Sequence, residues 1–183
     1  MDYASEICHE VSEAIDHALT LTKDQHTTDS TPPLRLGHLL IRLPQVARQL
    51  EIRRKDGQNM RPTIRIKDEF DVQDLLHAIL KLEFDDIRSE EWTPSYAGLS
   101  KRSDFLLKNE QILVEVKKTS AGHGQKHIVE ELVIDIAHYQ THPDCKHLFC
   151  AVWDTDHILA NPAGMKSDLE KSHQGFVTVV VLV

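Results

Sequence analysis

With 183 residues, 40% of them apolar, the chain is long enough for one domain with a sizeable core, and only 5% aromatic residues makes that core mostly aliphatic. The formal charge of −8 excludes a uniformly cationic nucleic-acid binder, but residues 1–34 hold seven acids and one base while residues 35–67 hold nine bases and two acids. No apolar run approaches the ~20 residues of a membrane span, the acidic opening MDYASEICHEVSEAID lacks the order of a signal peptide, and three cysteines without CxxC spacing read as reduced thiols, so a cytoplasmic protein without a membrane partner is expected.

In chain order, Ile7, Val11, Ala14, Ile15, Ala18 and Leu19 recur at helical spacing over residues 4–22. A polar loop ending in two prolines follows at 22–33. A second helical stripe runs over 34–55 through Leu36, Leu39, Leu40, Leu43, Val46, Ala47 and Leu50, with Pro44 expected to break or bend it. These two helices predict an extension or cap over residues 1–60. Its basic stretch (Arg35, Arg42, Arg48, Arg53, Arg54, Lys55, Arg61, Arg65, Lys67) is either a phosphate-binding surface or a solvated face.

From residue 61 to 183 the pattern becomes α/β. Thr63–Ile66 is a short strand candidate, and Val72, Leu75, Leu76, Ile79, Leu80 and Leu82 mark a helix. Strands are predicted at 87–92, 103–107 and 112–118, the last two joined by a tight turn at 108–111. A glycine-containing loop leads into a helix marked by Ile128, Leu132, Ile136 and Tyr139. The apolar segment 147–153 reads as a strand buried on both faces, and a short helix at 162–171 and a strand at 176–183 close the chain. The expected architecture is a central mixed sheet flanked by helices.

The chemistry concentrates in RSDFLLKNEQILVEVKK, residues 102–118. Asp104 opens one strand. Glu115 and Lys117 stand two apart on the next, so they share a face, and the hairpin brings Asp104 towards them. A glutamate and a lysine among Leu113, Val114 and Val116 are costly to bury unpaired. Two carboxylates are hard oxygen ligands suited to Mg²⁺, with Mn²⁺ able to substitute, rather than to zinc. Lys117 is placed to offset charge developing on a phosphate, and the Val116 carbonyl is a further candidate ligand. Twelve histidines show no HExxH and no Cys/His ligand spacing. Walker A, GxGxxG and GxSxG motifs are absent as well.

Asp104, ten residues, then Glu115-Val116-Lys117, set in the order helix, three strands, helix, strand, resembles the PD-(D/E)XK nuclease superfamily with its restriction-endonuclease-like αβββαβ core over about residues 62–160. Ser103 stands where the family name has proline. The resemblance implies a metal-dependent nuclease that hydrolyses DNA phosphodiester bonds, in bacterial defence or restriction, with Asp104 and Glu115 as metal ligands, Lys117 as the catalytic cation, and a homodimer or partner subunit. It also points to Glu69, on the helix before the sheet, as a further catalytic acid; Gln73 and His77 continue its polar stripe, and an acid favoured by the helix dipole is the plain alternative. Glu131, Asp135 and His138 form a second polar line on the following helix. Arg102 and Lys118 flank the motif as phosphate contacts or solvated charges. A catalytically inactive binding module of the same fold, and a nuclease acting on RNA, are the alternatives.

Overall fold

The computed structural model describes residues 31–52, 62–92 and 102–183. The helix expected over 4–22, the turn at 55–59 and the loop at 93–101 lie outside the described residues. Leu36–Val183 forms one compact unit, which holds the sheet.

Five strands form one mixed sheet in the order β1 (Ile87–Trp92), β2 (Arg102–Leu107), β3 (Ile112–Lys118), β4 (His147–Trp153), β5 (Val177–Leu182). β1, β2 and β3 are antiparallel neighbours, while β3–β4 and β4–β5 are parallel. Parallel pairing requires crossovers. Helix α3 (Gln125–Tyr139) links β3 to β4, and α4 (Pro162–Ser172) links β4 to β5. Two further helices, α1 (Pro32–Glu51) and α2 (Glu69–Leu80), precede the sheet.

The sheet separates two cores. On one face Leu36, Leu40, Leu43 and Ala47 of α1 and Val72, Leu75, Leu76 and Leu80 of α2 meet Val114, Val116, Phe149 and Ala151. On the other, Ile128, Leu132, Ile136 and Tyr139 of α3 and Met165 and Leu169 of α4 meet Leu113, Leu148, Cys150 and Val152. β3 and β4 are therefore covered on both faces, as their near-continuous apolar sequence requires. This is the restriction-endonuclease-like arrangement expected for residues 62–160, with α1 contributing to the core as well. Among the described residues, no helix is long and apolar enough to cross a membrane.

Two local expectations are corrected. Of the break or bend expected at Pro44, the break does not occur: the helix runs continuously from Pro32 to Glu51 with Pro44 buried. A mid-helix proline costs about 3 kcal/mol, and burying Leu36, Leu40, Leu43 and Ala47 along one stripe outweighs that at about 1.5–3 kcal/mol per large side chain. Thr63–Ile66 is no strand. Thr63 N–H donates to the Leu50 carbonyl at 2.9 Å and Ile66 N–H to Glu51 Oε1 at 3.4 Å, so the segment follows the end of α1 and packs Ile64 and Ile66 onto the core edge.

Candidate active site

The site arises where two strands part. β2 and β3 pair at Leu107–Ile112, Leu106–Leu113 and Phe105–Val114, and the ladder stops there. Beyond it, Ser103 and Arg102 remain paired with β1 alone. The splay leaves the outer edge of β3 without its neighbouring strand from Glu115 onward, and its amide groups still need acceptors. Carboxylates supply them. Asp104 Oδ2 accepts the Val116 N–H at 2.6 Å, and Glu69 Oε2 accepts the Lys118 N–H at 3.1 Å. The bare edge thus fixes the position of two acids.

Glu69 is delivered by the start of α2. Asp68 caps that helix, accepting the Asp71 N–H at 3.1 Å, while the Asp71 carboxylate accepts the Asp68 N–H at 3.3 Å. This capping box satisfies two backbone N–H groups at the start of α2 and so anchors the turn that carries Glu69. One turn further, Gln73 Nε2 donates to Asp104 Oδ1 at 2.8 Å. The stripe Glu69–Gln73–His77 therefore does face the site, and His77 closes it by packing against the Phe105 ring with centroids 5.4 Å apart.

Glu115 and Lys117 lie on the opposite side of the opening, 2% and 6% exposed. Lys117 Nζ donates to Glu115 Oε1 at 2.6 Å and stands 3.3 Å from Asp135 Oδ2. Tyr139 Oη donates to Glu115 Oε2 at 2.5 Å and lies 3.3 Å from the Arg102 carbonyl. Glu69, Gln73, Asp104, Glu115 and Lys117 all line one cleft of about 430 Å³.

Crowding acids into this cleft shifts their protonation. Burial, and next the charge of Glu115, push Asp104 up to about 8 despite the Val116 N–H. Burial raises Glu69 too, against the pull of Lys117. For Lys117 burial works against the charge, but Glu115, by charge and by direct hydrogen bond, together with Glu69 and Asp104, holds the ammonium above its ordinary value. Burial and then Glu115 raise Tyr139, whose hydroxyl keeps its proton and donates it.

All four residues singled out from the sequence, Asp104, Glu115, Lys117 and Glu69, meet in this cleft. None of the second polar line is in the cleft lining: Asp135 stands behind it, 3.3 Å from Lys117 Nζ, Glu131 pairs with His123 at 3.1 Å near the surface, and His138 is buried elsewhere. Arg102 pairs with Glu90 at 2.6 Å. In the sequence Tyr139 is only one more apolar position on α3. The one signal that separates it is its offset of four residues from Asp135, which places both on one helix face.

The fit of a divalent cation rests on the donor set. Two half-buried to buried carboxylates line the cleft, one held towards its neutral form by burial and next by the charge of the other, and they are hard oxygen donors whose burial and mutual repulsion a cation would relieve.

Searches of curated proteins and of solved structures return no match to the chain. The family model described as REase_DpnII-MboI matches residues 34–183, which take in both cores, the whole sheet and the cleft. The chain accordingly belongs to the DpnII–MboI family of restriction endonucleases, DNA-cleaving proteins of the PD-(D/E)XK type.

Proposed function

We propose that this chain is a Mg²⁺-dependent restriction endonuclease whose cleft cuts the DNA backbone with Asp104, Glu115, Lys117 and Glu69. The observation that carries the reading is the convergence of Asp104 and Glu115 where β2 and β3 part, beside a buried ammonium. Asp104 and Glu115 would hold the ion, with the Val116 carbonyl as a further oxygen ligand. When bound, the ion polarises the scissile phosphate and makes a nucleophilic water available at neutral pH; Mn²⁺ is expected to substitute.

The chain's own residues divide the remaining work. Lys117 stays protonated among its acids, so it serves as a fixed positive charge for the phosphate oxygens rather than as a base. Glu69, held against the Lys118 N–H at the cleft rim, orients water or a further ion ligand. Gln73 fixes the rotamer of Asp104. Arg48 and Lys118 line a second, smaller cleft of about 210 Å³; with the other bases of 35–67 they offer contacts for flanking phosphates, a role for the 1–60 segment as a cap over the DNA. One such site per chain cuts one strand, so a homodimer or a partner subunit completes a double-strand break in this reading.

Plasmid DNA incubated with the purified protein and Mn²⁺ or Mg²⁺ should be cut, and Asp104→Ala and Lys117→Ala should abolish cutting while folded by circular dichroism. Cutting that persists in both variants, or DNA left intact with either ion, would overturn the assignment.

A further inference from the structure

Helix α3 places two polar side chains behind the cleft, against Glu115 and Lys117 of its lining, and a helix that only packs on a sheet has no need of them. Asp135 and Tyr139 are both fully buried (0% exposed) amid Ile128, Leu132 and Ile136. Leucine and phenylalanine would fill the same volume without a desolvation cost, whereas a buried carboxylate and hydroxyl each require a partner.

Their partners are Lys117 and Glu115, and the spacing explains why. Four residues of helix advance about 6 Å, and two residues of strand about 6.6 Å. The pair four apart on α3 therefore matches the pair two apart on β3, rung against rung. Tyr139 Oη meets Glu115 Oε2 at 2.5 Å, and Asp135 Oδ2 meets Lys117 Nζ at 3.3 Å. Two further contacts tie the rungs together. Lys117 Nζ crosses to Glu115 Oε1 at 2.6 Å, and Tyr139 Oη reaches the Arg102 carbonyl on β2 at 3.3 Å, across the gap where the strands have parted.

We propose that Asp135 and Tyr139 are positioning residues of the cleft, Tyr139 fixing the Glu115 carboxylate for a divalent cation and Asp135 holding the Lys117 ammonium so that the cation can take Glu115. The inference rests on the reading of Asp104 and Glu115 as cation ligands. Lys117 has two carboxylates within reach. A cation arriving at Glu115 weakens that carboxylate's hold on the ammonium, and Asp135 is the anion that keeps the ammonium in place beside the phosphate. Without Asp135, Lys117 has Glu115 as its nearest counter-charge and competes with the cation for it. Without the Tyr139 hydroxyl, Glu115 loses the donor that sets its rotamer from the side facing away from the cleft.

The experiment is Mn²⁺ binding to the full chain by titration calorimetry, with DNA cleavage kinetics alongside, for wild type, Tyr139→Phe and Asp135→Asn. Each substitution removes one polar function at nearly constant volume. Both variants should bind Mn²⁺ about 10-fold or more weakly, the usual effect of losing a group that orients a ligand. Both should also lose kcat with little change in KM for DNA. Asp135→Glu, which restores the carboxylate, should recover part of the loss. Lowered thermal stability with wild-type Mn²⁺ affinity and kcat would make the pair structural and overturn the proposal; should Tyr139→Phe fail to fold, Asp135→Asn decides alone by the same criteria. Asp104→Ala separates the two claims. If it abolishes Mn²⁺ binding while the α3 variants bind normally, the cation site stands and this inference falls; if wild type binds no Mn²⁺, both fall.

Discussion

The β2–β3 hairpin has two halves that differ in what holds them. Near the turn, Leu106–Leu113 and Leu107–Ile112 are paired by backbone and sealed by apolar side chains on both faces. Past Phe105–Val114 the backbone ladder ends, and side chains from β2, α2 and α3 take over: Asp104 and Glu69 on the β3 amides, Tyr139 and Asp135 on Glu115 and Lys117. A closed ladder buries no charge and offers no opening. An interrupted one exposes amide donors that select acids, and it leaves the space in which those acids can hold a ligand. Stability and chemistry are thus separated along a single pair of strands, and substitutions in the two halves should have effects of opposite kind.

The largest expected effect is in the open half. Asp104→Asn keeps the shape and an acceptor for the Val116 N–H but removes the charge, and kcat for DNA cleavage should fall about 10³-fold or more, a loss of about 4 kcal/mol of transition-state stabilisation. Next comes Leu113→Ala in the closed half. Leu113 is fully buried against α3, so the variant should lose about 2–5 kcal/mol of stability in denaturant unfolding, with kcat per folded molecule close to wild type. If Leu113→Ala lost its chemistry at unchanged stability, the separation of roles would fail.

Asp104→Asn should also stabilise the metal-free protein, and the sign follows from linkage. Folding raises the Asp104 carboxyl from 3.8 to about 8, so the folded state keeps this proton more tightly than the unfolded chain does. Below pH ~4 the group is protonated in both states and contributes no difference. As pH rises from about 4 to about 8 the folded protein loses stability at this residue, and above that the loss is complete. Asparagine cannot ionise. Its advantage should be absent at pH 4, grow through neutrality and level off above pH 8, at about 1–2 kcal/mol after solvent screening. Chemical denaturation of both proteins at pH 4, 6 and 8 measures it, and a constant difference across that range would exclude Asp104 as its source.

Much of the cleft is legible in the sequence, for identifiable reasons. The period-two placement of Glu115 and Lys117 puts them on one face whatever the tertiary context, and a four-residue turn after Leu107 forces Asp104 alongside. The stripe in α2 places Glu69 and Gln73 beside its leucines, on the side that meets the sheet, for the same geometric reason. The splay is not legible, because nothing in RSDFLL marks where pairing stops; it depends on β1 keeping Arg102 and Ser103. Tyr139 is hidden because a tyrosine at an apolar helix position satisfies the core pattern as well as a phenylalanine does, and its hydroxyl matters only once β3 lies beneath it. Pro44 misleads because a local backbone penalty is set against a burial gain that only the sheet supplies.

The smallest expected effect tests how finely the open half is tuned. Gln73 Nε2 donates to Asp104 Oδ1 at 2.8 Å, a hydrogen bond that favours the ionised carboxylate. Gln73→Ala removes it and leaves Asp104 with the Val116 N–H as its donor among the described residues. The carboxyl should then hold its proton to a higher pH, and since a cation competes with that proton, the pH at which Mn²⁺ binding is half-complete should move up, by less than about one unit for a single partly exposed bond of about 1 kcal/mol. Stability should change little, because the amide sits at the cleft rim and leaves no cavity. Calorimetric Mn²⁺ titrations between pH 6 and 9 resolve such a shift. A midpoint that moved down would mean that Gln73 had been supporting the protonated carboxyl, with its amide turned the other way.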